Sequence, residues 1–381
     1  MSPTSPGSRR RVAYVRDIER LEGLPPEERR RLAEVAARFP FRANDYYLGL
    51  VDWSDPADPI RRLVVPSPGE LDHAGALDPC GEAKNTVAPG VQHKYPHTVL
   101  FLVNEVCGAY CRYCFRKRLF LDDTGETSLD VGPGLRYVAA RPQITNVLLT
   151  GGDPLMLNTR RLEEIVAGVR AIPHVGILRI GTKMPAFNPY RILDDPALLA
   201  MIRRHSTPEK RIYVMAHFDH PRELTEPATE AIGQLIEAGA MVVNQCPLIG
   251  GINDDPAVLA ELFRKLSFIG APQYYLFQGR PTAGNEPFFV PIVRGYHLFE
   301  EAKKRVSGLA KRARFVMSHE RGKIEIVGVT ANRIYLRFHR ARNPLEEGRF
   351  LSFYRDDRAL WLDDLVPAEE DSAPAPSVDA A

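Results

Sequence analysis

The segment CGAYCRYCFRKR places Cys107, Cys111 and Cys114 three and two residues apart. Thiols clustered this tightly point to metal or redox chemistry, because a disulfide scaffold spreads its cysteines. Three thiolates leave one iron of a [4Fe–4S] cluster without a protein ligand, free to take up a substrate or cofactor. A structural zinc site wants a fourth ligand, and that alternative would recruit His217, His220 or Cys246. Cys80 in DPCGE and Cys246 in NQCPL each read as a lone small residue. Arg112 lies between two of the clustered cysteines and Arg116 follows the third. Guanidinium forks there suit carboxylates and phosphates. GGDP, from Gly151 and Gly152 to Asp153 and Pro154, has two glycines that let the backbone approach a ligand closely. His217 and His220 in AHFDHP, and Gln245 in NQC, add polar groups at the ends of apolar runs.

The elements that must position these residues begin near residue 99, where short apolar runs alternate with helical ones. Strands are predicted over 99–106, 144–152, 175–183, 211–218, 241–249 and 272–279, and several of the intervening helices open on Asp or Thr, which can cap them. Near-continuous apolar strands predict a parallel sheet covered on both faces. Six βα units predict an α/β fold, a partial (β/α)6 TIM-like barrel. A doubly wound sheet fits the same alternation. Either way the cysteines and GGDP follow the first two strands, at the carboxyl ends where such folds bind ligands. A helix over 295–310 closes the last unit, and 323–339 reads as a β-hairpin. Upstream, 14–40 reads as helix and 41–95 as an irregular segment. Residues 1–10 and the polar tail after Val366 are expected to be disordered. The chain thus divides into an extension (1–95), a barrel (96–310), a C-terminal segment (311–365) and a tail (366–381).

Composition narrows the function. Hydrophobic residues are 44% of 381, enough for a large core. A net charge of +2 gives no global field toward nucleic acid. No apolar run is long enough for a transmembrane helix, and the basic N-terminus lacks the apolar region of a secretory signal. Clustered cysteines in such a chain predict a cytoplasmic protein.

The CxxxCxxC spacing resembles the motif of the radical S-adenosylmethionine superfamily. More of the chain is similar to the lysine 2,3-aminomutase family. The matching stretches include YYLGLVDWSDPADPIRRLVVPSPGEL, VQHKYPHTVLFLVNEVCGAYCRYCFRKR, VLLTGGDPLM, IPHVGILRIGTKMP, VNQCPLIGGIND and YYLFQGRPTAGNEPF, spanning about residue 46 to 290. The resemblance implies a [4Fe–4S] cluster on Cys107, Cys111 and Cys114, S-adenosylmethionine on its open iron, and pyridoxal 5′-phosphate carrying a migrating amino group. It further implies a small amino-acid substrate, an external electron donor and association into a homo-oligomer. By the same resemblance GGDP contacts the methionine amino group, His217 and Gln245 line the cofactor pocket, Arg116 holds the substrate α-carboxylate, and Arg112 lies near the cofactors.

The likeness breaks in three places. The family's pyridoxal lysine closes a PGGGGK loop; here the stretch is MSHERGK, which makes Lys323 the candidate. The family's phosphate segment, HRYPDR, becomes HKYPHT, leaving Lys94 and Tyr95 to serve. The two aspartates that hold the distal ammonium of lysine fall at Arg280 and near Ser318. An ammonium facing Arg280 is repelled, so the expected substrate is not lysine and has an anionic or neutral distal end. The alternative for Arg280 is that it turns away and pairs with Glu286. Two other functions stay open: a pyridoxal-independent radical enzyme on the same scaffold, and a non-catalytic iron–sulfur or zinc protein.

Overall fold

The structure is a computed structural model that describes residues 12–71, 75–121 and 124–368. The disorder expected of residues 1–10, and of the tail from 369, lies outside the described residues. A mixed α/β architecture is built on one twelve-stranded sheet whose strand order follows the chain. β1 (Thr86–Ala88) and β2 (Val91–Tyr95) run antiparallel at one end. Seven parallel strands follow: β3 (Thr98–Asn104), β4 (Asn146–Gly151), β5 (Ile177–Thr182), β6 (Ile212–Ala216), β7 (Met241–Pro247), β8 (Gln273–Phe277) and β9 (Arg314–His319). β10 (Gly322–Val329), β11 (Arg333–Ala341) and β12 (Phe350–Tyr354) extend the other end antiparallel.

An α-helix lies in each connection between successive parallel strands. α1 (Gly132–Ala139), α2 (Thr159–Arg170), α3 (Pro196–His205), α4 (Glu226–Glu237), α5 (Pro256–Phe268) and α6 (Ile292–Lys304) fill these places. Asp195, Thr225 and Asp255 cap α3, α4 and α5 through their side chains, each with proline in the first turn. Strand order excludes the doubly wound alternative, which requires a reversal. Crossovers of one hand that always advance the same way stack their helices on one face. The expectation of two covered faces is therefore corrected. Val147, Leu149, Leu178 and Ile180 are buried in the core, while their neighbours Leu148, Thr150, Arg179 and Gly181 line a cavity on the other face.

β9, RFVMSH, is a seventh parallel strand beyond the six expected; its short apolar run follows a basic stretch that masks it. The hairpin falls where expected, as β10 and β11. Of the helix expected over 14–40, the α-helical part is Pro26–Arg38, and Tyr14–Val15 instead pairs with Ala43–Asn44. The irregular segment after it packs Tyr47, Ile60 and Leu63 with Phe187 and Phe288 as a second hydrophobic cluster. Pro367 and Ala368 still run along β12, bridging Phe353 and donating to Ser352 O at 3.0 Å. Among the described residues no helix is long and apolar enough to cross a membrane.

Candidate active site

A cavity of about 350 Å³ opens at the carboxyl ends of the parallel strands, and Cys107, Cys111 and Cys114 all line it. Their loop leaves β3 and is braced from two sides. Asn104 Nδ2 donates to Val106 O at 2.7 Å and to Asp153 O at 2.8 Å. From the N-terminal segment, Arg42 Nε donates to Cys107 O at 2.8 Å and Asn44 Nδ2 to Gly108 O at 3.1 Å. The cysteines are free thiols, and burial pushes all three above the ordinary thiol range. Among the described residues no three His, Cys, Asp or Glu side chains converge as a single metal ion needs. Thiolates that each meet a different iron of a cluster face no such demand. Of the zinc alternatives, His220 caps a short 3-10 turn through Arg222 N and Cys246 is buried against Gln273 Nε2 at 3.2 Å, while His217 lines the cavity.

GGDP is stitched to that loop. Gly151 has φ +106°, and a Cβ on it would come within 2.5 Å of Asn104 O; one on Gly152 would meet Val106 N at 2.7 Å. The close approach these glycines permit is thus to the cysteine loop's own backbone. Gly151, Gly152 and Asp153 line the cavity, whereas Pro154 does not. The Asp153 carboxylate accepts from Thr182 Oγ1, Lys183 N and Leu155 N at 2.8–2.9 Å, so it holds two strand ends together.

Beneath Tyr113 lies a buried ionic network invisible to motif reading. Lys183 Nζ sits 2.6 Å from Asp219 Oδ2 and 2.7 Å from Glu223 Oε1, both carboxylates fully buried. Burial opposes the ammonium, but the two carboxylates more than offset it and hold Lys183 above the ordinary lysine range. Tyr113 OH and His217 Nε2, 2.9 Å apart, both donate to or share protons with Asp219. His217 and Gln245 line the cavity as expected of strand-end residues. A lysine closing a parallel strand, as in GTK, was the available signal for Lys183.

The two arginines of the cysteine loop part company. Arg112 is saturated by the fold: it makes a bidentate pair with Glu70, 2.7 Å at the shortest, and donates to Pro40 O and Phe39 O. It does not line the cavity. Arg116 does line it. Its Nε lies 3.0 Å from Glu82 Oε2 and its Nη1 donates to Thr150 Oγ1 at 2.9 Å. Arg280 also faces the cavity, 3.3 Å from Glu82 Oε1 and stacked 3.7 Å over the Phe115 ring. Arg118 adds a third contact to the same carboxylate at 3.3 Å. Burial works against ionisation of Glu82, yet Arg116 and Arg280 hold it well below the usual carboxylate range. No periodicity marks Glu82 within DPCGE. A Glu82→Gln variant is expected to lose about 3–5 kcal/mol of unfolding free energy at neutral pH, because three guanidiniums lose a shared buried partner. Since the folded pKa is depressed, this contribution is present at neutral pH and lost as pH falls through that value; denaturant unfolding at two pH values checks both points.

At the opposite wall stands Lys323, on β10, opposite Ser318 of β9. Its Nζ lies 4.2 Å from the Tyr275 ring centre and 5.0 Å from that of Phe277. Burial first, then Arg179, Arg340, Arg280 and Lys94, push its amine well below the ordinary lysine range. Lys94 donates to His319 O, and burial and Arg280 lower it to about 8. Tyr95, whose phenol burial raises to about 12, has a buried hydroxyl with no hydrogen-bond partner among the described residues. The surviving glycine, Gly322, serves the ladder: a Cβ there would meet Arg340 O at 2.3 Å.

No family model matches the chain. A relative in Aquifex aeolicus (strain VF5), provisionally named an L-lysine 2,3-aminomutase, is 50% identical over 93% of this chain and 95% of its own length. The L-lysine 2,3-aminomutase of Clostridium subterminale is 35% identical over 79% of this chain and 71% of its own. The glutamate 2,3-aminomutase of Clostridioides difficile is 32% identical over 79% and 70%. Among solved structures, a radical SAM methyltransferase from Sphaerobacter thermophilus aligns with TM-score 0.41 at 18% identity, over 60% of this chain and 68% of that one, a likeness too distant to bear on function. Identity of this order along nearly the whole chain, on a sheet that gathers three clustered thiols and a strand-borne lysine into one cavity, means that the chain belongs to the lysine 2,3-aminomutase family of radical S-adenosylmethionine enzymes.

Proposed function

We propose that the protein is a pyridoxal-dependent radical 2,3-aminomutase that moves the α-amino group of a small amino acid with an anionic or neutral distal end. The observation that carries this reading is that one cavity is lined both by Cys107, Cys111 and Cys114 and by Lys323. The residues fit the groups the family implies. Three free thiols open onto one space, and an amine that burial and neighbouring cations push below the ordinary lysine range stands among cations that favour a phosphate. Bound there, the cluster, S-adenosylmethionine and pyridoxal phosphate supply one-electron cleavage of a sulfonium and a carbonyl able to carry the migrating nitrogen.

The chain's own residues do the rest. Lys323 offers an amine whose burial and cationic neighbours favour the nucleophilic, unprotonated form. Arg116, fixed by Glu82 and Thr150, still has guanidinium donors for a substrate carboxylate. Arg280 presents a guanidinium where a lysine ammonium would need carboxylates, and the carboxylate it pairs with, Glu82, is already shared with two other arginines. A distal carboxylate suits that wall, in keeping with the relative named for glutamate. L-Glutamate or L-aspartate is accordingly expected to turn over at least tenfold faster than L-lysine, the margin of a single misplaced charge. Comparable rates on L-lysine would sink the substrate assignment while leaving the reaction class intact.

The seven parallel strands read as a partial barrel closed by the N-terminal segment. An external one-electron donor, a cytoplasmic setting and a homo-oligomer complete the proposal. Anaerobic reconstitution with pyridoxal phosphate, borohydride reduction and peptide mapping tests it. A pyridoxyl group is expected on Lys323. Intact S-adenosylmethionine cleavage without that adduct would favour the pyridoxal-independent reading, to which the structural use of Gly322 lends weight.

A further inference from the structure

Lys323 and Arg340 face each other directly across the β10–β11 ladder. A basic side chain directly opposite Lys323 on one face is unfavourable unless an anion lies beside it. Arg340 reaches that face only through an irregularity. The register passes from Lys323 opposite Arg340 to Ile324 opposite Phe338, so His339 is the extra residue of a bulge. Without it, strand alternation would send Arg340 to the core face beside the fully buried Phe338. The bulge thus brings a guanidinium to the amine of Lys323.

The contacts around the pair supply no negative charge. Arg340 Nη2 donates to Thr98 Oγ1 at 3.3 Å, and its guanidinium stacks 4.3 Å over the Tyr95 ring. Arg179, on β5, donates from Nε to Asn146 Oδ1 at 2.9 Å. Both arginines line the cavity, and among the described residues neither has a carboxylate in ion-pair contact. The unpartnered hydroxyl of Tyr95 lies in the same corner. Cross-strand Cβ atoms stand about 4.5–5.5 Å apart, so an amine and a long guanidinium side chain from one such pair can reach two ends of a ring-sized ligand.

We infer that Arg340, supported by Arg179, seats the phosphate of pyridoxal 5′-phosphate bound at Lys323, the dianion balancing the two guanidiniums. This rests on the reading of Lys323 as the pyridoxal lysine. The test is to titrate the reconstituted full-length enzyme with pyridoxal 5′-phosphate and, separately, with pyridoxal, following absorbance, for wild type, Arg340→Gln and Arg340→Lys. Arg340→Gln is expected to weaken the phosphorylated ligand about tenfold to a hundredfold, as for a lost charge-assisted contact. Pyridoxal binding should be unchanged, and Arg340→Lys should fall between. Unchanged affinity for the phosphorylated ligand in Arg340→Gln would overturn the inference, and so would an equal loss for both ligands, which marks a merely structural role. If the wild type yields no borohydride-trapped adduct at Lys323, the Lys323 reading itself falls and this inference falls with it.

Discussion

A Cys111→Ala variant is expected to cleave no S-adenosylmethionine under strong reductant while still forming the pyridoxyl adduct at Lys323. The three thiols hang on one short loop whose backbone is held by Asn104, Arg42 and Asn44. The loop itself carries no fourth cysteine; Cys80 lines the cavity from a different segment, and Cys246 is buried against Gln273. Supporting groups around a metal ligand already command roughly 10–100-fold in affinity or activity; loss of a ligand itself should exceed that, leaving cleavage at background. Iron content and the visible absorbance of the reconstituted protein report the same loss without turnover. Lys323 stands on a separate wall, on β10, and its surroundings contain none of the cysteines. Retained cleavage in Cys111→Ala would break the assignment of the thiol loop.

The mirror experiment is Lys323→Ala. It should abolish amino-group migration, while S-adenosylmethionine is still cleaved unproductively. Lys323→Arg should not rescue it, because a guanidinium keeps its proton throughout the accessible range. The depressed pKa adds a pH signature. An ordinary exposed lysine titrates near 10.4, so its reactive fraction grows about tenfold per pH unit below that value. Burial and four neighbouring cations push Lys323 well below that value. The rate of pyridoxal capture should therefore climb by less than tenfold per pH unit between about pH 7 and 9. A full tenfold rise per unit across that interval would show an ordinary, solvated lysine.

What could be read from the sequence was what is local. Three cysteines within one turn, two glycines after a strand, and a lysine opening an alternating run each carry their signal within a few residues, and all three reach the cavity. Strands announced themselves through apolar runs, but their order did not, which is why two architectures fitted until the ladder was seen. The two arginines four residues apart show the limit most plainly. Arg112 and Arg116 have the same chemistry and the same loop, yet one is consumed by Glu70 and the other faces the site. The deciding partners, Glu70 and Glu82, come from the segment that read as irregular. Lys183 with Asp219 and Glu223 is hidden for the same reason, because charge partners brought together by crossovers leave no period. Arg340 needed both a distant strand and a one-residue bulge to reach Lys323.

The strictly sequential strand order also has a consequence in time. Each parallel strand pairs with the one made just before it, so the sheet can grow at a single edge as the chain emerges from the ribosome. The thiol loop and the N-terminal residues that brace it are complete early, whereas Lys323 arrives with the third strand from the far end. At about 5–20 residues per second, roughly 10–40 s of synthesis separate them. For that interval the thiols face a cavity that still lacks the wall bearing the amine. The cavity's two halves are thus offered to their occupants in a fixed sequence, set by the direction of translation.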